Sequence, residues 1–171
     1  MEQYKMKKWI KACLACMMIF AMSGCAKKAE FEQVSVTMDE VYEMSEAQED
    51  FVLLVERENC PFCEELQKFI EESKQEHDNI KIYTLDTTNF KFKKVDGKLT
   101  SETEEGKTFL KLFPNFLYTP SLYTMRSGEA VEVGVGFDQA TQEISIWDID
   151  SIIDFDRADT KNVWLYIEEA Q

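Results

Sequence analysis

Phe51-Val-Leu-Leu-Val-Glu-Arg-Glu-Asn-Cys60-Pro61-Phe62-Cys63-Glu-Glu-Leu66 decides how the rest of the chain is read. Phe51 to Val55 is a continuous apolar run ended by charges, the pattern of a strand covered on both faces. Pro61 stands where a helix accepts proline at its first position. Phe62, Leu66, Phe69 and Ile70 then recur on one face, which predicts a helix to about Gln75. Cys60 therefore falls at a helix N-terminus, where unpaired N–H groups and the macrodipole favour an anion, here a thiolate. The thiolate is the attacking species in thiol–disulfide exchange, and two intervening residues let the second sulfur reach back to the first. Cys60 is expected to be the accessible nucleophile, and Cys63, one turn into the helix, the thiol that resolves a mixed disulfide.

Outward from this stretch, strands and helices alternate. Val34-Ser-Val36 reads as a short strand, and Thr37 with Glu40 has capping-box spacing that opens a helix to about Gln48. Ile80 to Leu85 is the next strand, and Phe90 to Thr100 alternates around Asp96-Gly97, a hairpin signal. Ser101 and Glu104 repeat the capping spacing and predict a helix through Leu112, with Pro114 at its end. Ser121 to Met125 and Ala130 to Val135 flank Arg126-Ser-Gly-Glu129 as an antiparallel hairpin. The acidic and apolar segment Ile144 to Asp156 predicts a helical turn or two, and Lys161 to Ala170 a terminal helix burying Val163, Trp164 and Ile167. This order predicts an α/β domain with a central mixed sheet of four to five strands and helices on both faces.

The chain has 171 residues and a formal net charge of −14, with 19 basic and 33 acidic residues. The length suits one domain, and the acidity excludes a nucleic-acid partner, which needs clustered Lys and Arg. Residues 1–24 read as a signal: Lys5, Lys7, Lys8 and Lys11 form a basic region, and Ala12 to Met22 an apolar one too short to span a bilayer. Met22-Ser-Gly-Cys25 resembles the bacterial lipobox, with Met where Leu is commoner. The resemblance implies cleavage before Cys25 and acylation of its sulfur and new N-terminus, with residues 25–31 as a tether from the membrane. Cys13 and Cys16 share C-x-x-C spacing but leave with the signal. Removing 24 residues takes four Lys and one Glu, leaving 147 residues, 15 basic and 32 acidic, at −17. Cys60 and Cys63 are then the only free thiols, outside the cytoplasm, where a disulfide persists.

The strand, the Cys60-Pro-Phe-Cys63 motif and its helix, together with Thr119-Pro120 and the strand–Gly128–strand block after it, resemble the thioredoxin-like thiol–disulfide oxidoreductases. The resemblance covers roughly residues 32–136 and the last helix, within a domain of residues 32–171 carrying insertions near 89–100 and 137–160. It implies a thioredoxin-like fold, a redox-active Cys60–Cys63 disulfide, and a cis Pro120. It further implies that Thr119 and Pro120, with Pro61 and Phe62, bind the substrate chain. No metal or organic cofactor is implied; substrates are protein or peptide thiols and disulfides, and electrons pass to or from a membrane or extracytoplasmic redox partner. Phe51 to Leu66 and the Thr119-Pro120 block are nearest to the bacteriocin transport accessory and Gram-positive lipoprotein thioredoxin type. The implied protein is an enzyme, lipid-anchored through Cys25 to the outer side of the bacterial cell membrane. The rival class is a non-catalytic binding lipoprotein in which a locked Cys60–Cys63 disulfide is structural.

Three departures stand out. Leu54 occupies the position where thioredoxins carry a buried acid, leaving Glu56 and Glu58 as nearer carboxylates, and Asn59 replaces the Trp that commonly precedes the first cysteine. Glu64 and Glu65 follow the motif where basic residues are frequent, and carboxylates there repel a neighbouring thiolate. Against other chemistries, zinc needs about four ligands, and the mature chain offers two thiols and one His. The aspartates from Asp148 to Asp159 lack the calcium-loop order and glycine and read as a solvated face. His77, in a polar helix exit, reads as a solvated surface residue. The aromatics Phe90, Phe92, Phe109, Phe113, Phe116 and Tyr118 read mostly as core, with a minority available as a substrate-receiving rim. Lys91, Lys93 and Lys94 form the one dense basic cluster of the mature chain and solvate the hairpin.

Overall fold

The computed structural model describes residues 30–150 and 154–171. The signal, Cys25 and most of the tether lie outside the described residues. In chain order the elements are β1 (Glu32–Val36), α1 (Met38–Glu46), β2 (Phe51–Glu56), α2 (Pro61–Ser73), β3 (Lys81–Asp86), β4 (Phe92–Val95), β5 (Lys98–Ser101), α3 (Glu104–Leu112), β6 (Ser121–Arg126), β7 (Glu129–Asp138), β8 (Glu143–Asp148), β9 (Asp159–Asn162) and α4 (Val163–Glu169). Single 3-10 turns follow α2 and β3. Among the described residues no helix is long and apolar enough to cross a membrane.

A single sheet of order β1-β3-β2-β6-β7-β8-β9 forms the centre, and β4–β5 stands apart as a two-stranded hairpin. β1 and β2 pair parallel with β3, and every pairing from β2–β6 to β8–β9 is antiparallel. β2 lies between β3 and β6 and is buried along its first five residues, as its unbroken apolar run requires. Its side chains divide two cores by the period of two. Phe51, Leu53 and Val55 meet Met38 and Val41 of α1 and Phe109 of α3 on one face. Val52 and Leu54 meet Leu66 and Ile70 of α2 and Val163, Trp164 and Ile167 of α4 on the other. Helices thus cover both faces of a mixed sheet, and the fold is thioredoxin-like.

Four expectations need correction. The sheet has seven strands rather than four or five, because 143–148 and 159–162 extend its antiparallel side. Ile144 to Asp148 is strand, not helix: Ile144 and Ile146 turn to one core, and Gly134 across the ladder leaves the space that the Ile144 side chain fills. The terminal helix begins at Val163, since Asn162 caps it by accepting from the N–H groups of Trp164 and Leu165, while 159–162 pair with β8. Thr103, not Ser101, opens α3: its hydroxyl accepts from the Gly106 N–H, and the Ser101 hydroxyl is spent on the Phe90 carbonyl. Thr37 and Glu40 do form the reciprocal capping box.

Candidate active site at the start of the second helix

β2 ends at Glu56, and four residues later Cys60 is the N-cap of α2, with extended φ −113° and ψ 103°. Asn59, at φ 54°, turns the chain from strand to helix, a conformation asparagine tolerates. Pro61 takes the first helical position, where its missing N–H costs nothing. Cys60 and Cys63 are joined as a disulfide, with Cα atoms 5.2 Å apart. The Cys63 N–H donates to Cys60 Sγ at 3.3 Å, so the sulfur occupies the place of an N-capping oxygen.

The opposite wall is the segment before β6. The Thr119–Pro120 peptide is cis, and the Gly136 N–H of β7 donates to the Pro120 carbonyl at 2.9 Å. The Thr119 hydroxyl donates to Cys60 Sγ at 3.4 Å, and the Thr119 carbonyl lies at the same distance from that sulfur. Thr119 is half-buried and Pro120 buried, whereas Pro61 and Phe62 are exposed. The structure thus brings Cys60, Cys63, Pro61, Phe62, Thr119 and Pro120 to one end of the sheet. Cys25 lies outside the described residues.

Both cysteines are nearly closed off in the disulfide, at 3% and 4% exposure, and Cys60 borders a cleft. That cleft, of about 490 Å³, is lined by Arg57, Pro61 and Phe62 on one side and Phe116, Leu117, Tyr118 and Thr119 on another. Thr87 and Thr88, with Phe92 and Leu99 of the β4–β5 hairpin, complete it. Phe62, Leu117 and Tyr118 are about half exposed, so part of the aromatic set is rim, while Phe90, Phe109, Phe113 and Phe116 are core. Arg57 and Leu99 were not singled out from sequence; the alternation of Phe92 and Leu99 across the Asp96-Gly97 turn was the available signal.

Leu54, fully buried, fills the position of the absent acid. Glu56 is the carboxylate that points partly inward. Burial pushes its carboxyl above the usual range, against a 2.7 Å hydrogen bond donated by Gln67 Nε2, and nearby Asp86 pushes it further up. Gln67 accepts in turn from Gln33 Nε2, which also donates to Thr84 Oγ1. Glu58 is exposed. His77 is not a solvated surface residue: its ring stacks on Trp164 at 3.9 Å and Nδ1 lies 2.8 Å from Glu168 Oε1, tying the end of α2 to α4.

No protein-family model and no curated protein matches the chain. Among solved structures it is similar to spinach chloroplast thioredoxin F (short form), at 18% identity and a TM-score of 0.42 over 65% of this chain and 85% of that one. It is also similar to the thioredoxin of Malassezia sympodialis, at 12% identity and a TM-score of 0.41 over 66% of this chain and 87% of that one.

Proposed function

We propose that this protein is a thiol–disulfide oxidoreductase acting on exported or surface proteins from a lipid anchor at Cys25. The observation that carries the reading is the setting of Cys60 Sγ: it caps α2, takes hydrogen bonds from the Cys63 N–H and the Thr119 hydroxyl, and borders an apolar-rimmed cleft. Those donors and the helix N-terminus favour a thiolate once the disulfide is reduced. The Cys60 thiolate attacks one sulfur of a substrate disulfide and expels the other as a thiolate. Cys63 then attacks Cys60 Sγ, releasing the substrate's second thiol and closing the Cys60–Cys63 disulfide. Two electrons have passed to the substrate, and a partner dithiol returns them; run backwards, the same steps oxidise a dithiol. Thr119, next to Pro120, lends its backbone to the bound substrate chain, with Pro61 and Phe62 beside it.

The test is trapping. Cys63→Ala accumulates mixed disulfides through Cys60, and Cys60→Ser abolishes both trapping and exchange. Titration against redox buffers reads the direction: a midpoint near about −270 mV marks a reductase, and one of about −120 to −180 mV an oxidant or isomerase. A pair that never equilibrates marks a structural disulfide and refutes the enzyme. For the anchor, Cys25→Ser releases the protein from the membrane fraction and ends incorporation of labelled palmitate. The bacteriocin accessory role is part of the proposal and predicts that the trapped partners include exported peptides.

A further inference from the structure

Phe62 lines two clefts, and their charges are opposite. In the cleft that Cys60 borders, Arg57 is the one charged lining residue among the described residues. It is exposed and has no ion pair among them. Lys94, exposed on the hairpin beyond it, pairs in register with Leu99 on the face that carries Phe92. The second cleft, of about 640 Å³, runs from Phe62 along the turn between β7 and β8. Its charged lining residues are Glu65, Asp138 and Glu143, with no cation among the described residues. Two of these carboxylates are held in place: Asp138 accepts from the Ala140 and Thr141 N–H groups, and Glu143 from the Thr160 hydroxyl.

We propose that the two clefts form one groove for an extended polypeptide segment of a partner. The segment's cysteine meets Cys60, an acidic side chain flanks it on the Arg57 side, and a basic one flanks it on the side of Glu65, Asp138 and Glu143. The inference rests on the exchange reading above and names the substrate that reading takes. An extended chain advances about 3.3 Å per residue, so a few residues on either side of the cysteine carry side chains along such a groove. Phe62, 56% exposed and shared by both clefts, offers an apolar contact to the residue beside the cysteine. A chain at −14 repels acidic partners at long range, so the segment's own charges, read at close quarters, set which cysteine is chosen.

The experiment uses the reduced mature, lipid-anchored protein and three peptides of one length, each with its cysteine activated as an uncharged 2-thiopyridyl disulfide. One carries Glu before and Lys after the cysteine, one the reverse, and one Gln at both places. Attack by Cys60 on the peptide sulfur forms the protein–peptide disulfide and releases pyridine-2-thione, which carries the proton and is read by absorbance. At low ionic strength one charged order reacts about fivefold or more faster than the other, as two exposed ion pairs of opposite sense allow. The gap closes in 0.5 M salt and closes or inverts in Arg57→Glu. Equal rates for both orders, with the Gln peptide reacting well, overturn the polarity and leave the exchange reading standing. An order preference unchanged in Arg57→Glu also overturns it. If no peptide reacts faster than with Cys60→Ser, the exchange reading falls and the polarity falls with it.

Discussion

Replacing Thr119 by Val keeps the branched shape beside Cys60 and deletes the hydroxyl that donates to its sulfur at 3.4 Å. In the reduced protein that hydroxyl stabilises the thiolate far more than the thiol. A hydrogen bond to a charged group is worth about 1.5–3 kcal/mol, and the longer reach to sulfur argues for the lower figure. About 1.4 kcal/mol is tenfold, so well below the wild-type thiol's pKa Thr119→Val holds roughly tenfold less thiolate. The thiolate that remains is more basic and so more nucleophilic, by about threefold at a Brønsted slope of 0.4–0.5. Exchange with an uncharged aliphatic disulfide should therefore run about threefold slower than wild type at low pH, yet about threefold faster at high pH, where both thiols are ionised. The assay follows formation of the mixed disulfide on the Cys60 peptide by mass spectrometry, in a Cys63→Ala background that retains the backbone N–H donor. The crossing of the two rate–pH profiles is the signature; profiles that run parallel or superimpose would refute the assigned role of the Thr119 hydroxyl.

Three further outcomes are expected. The buried Tyr166 hydroxyl accepts from Thr124 and donates to the Leu122 carbonyl, both at 2.9 Å, so Tyr166→Phe leaves two inner groups short of a partner. The cost is about 1–3 kcal/mol, a fall of roughly 3–10 °C in the midpoint of thermal unfolding followed by circular dichroism; a change under about 1 °C contradicts it. Glu56 has its folded carboxyl raised from 4.5, chiefly by burial, so its favourable contribution is complete below that value and is lost as pH rises through the raised one. Glu56→Gln, which still accepts from Gln67, should be the more stable protein at pH 7, with the difference vanishing in urea melts below about pH 4.5. Gly106→Ala would gain helix propensity of about 1 kcal/mol, but its methyl would sit 2.7 Å from the Phe90 carbonyl and against Ser101, so backbone must move. Net destabilisation is the expected sign, and a raised unfolding midpoint would show that the turn before β4 yields freely.

What the sequence made legible follows the strength of the local signals. β2 and α2 could be read because a buried central strand needs an unbroken apolar run and Pro61 fixes a helix start, and those two elements place Cys60. The capping box at Thr37 and the turn at Ser127-Gly128 were equally local. At α3 the reading slipped by two residues, since Ser101, Thr103 and Glu104 all carry capping chemistry and only packing against Phe90 decides which hydroxyl is free to cap. β9 was not legible: Asp159-Thr-Lys-Asn162 has no apolar period, because a strand at the sheet margin needs little beyond backbone hydrogen bonds to its single neighbour. β8 did carry a signal in Ile144 and Ile146, which the surrounding aspartates obscured. Arg57 escaped notice for a different reason, since nothing in a sequence says which exposed cation borders a cleft.

The stretch misread as helix is also the one that shapes the acidic side of the groove. β7 continues past a break in its ladder with β8 between Val135 and Asp138, where Gly136 stands at φ 74°. At that break the Gly136 N–H turns to the Pro120 carbonyl, so β7, on which the added strands build, is hydrogen-bonded to the segment that faces Cys60. The turn from Asp138 to Gln142 then closes on itself through the Asp138 carboxylate and is pinned to the start of α4, where the Val163 N–H donates to the Gln142 carbonyl. Asp138 and Glu143 are thus carried to the side of Phe62 by the same two strands that seat the terminal helix. Under the proposed function, loosening β9 from β8 should disturb recognition of basic side chains beside a substrate cysteine before it disturbs the cysteines themselves, whose supports lie in β2, α2 and β6.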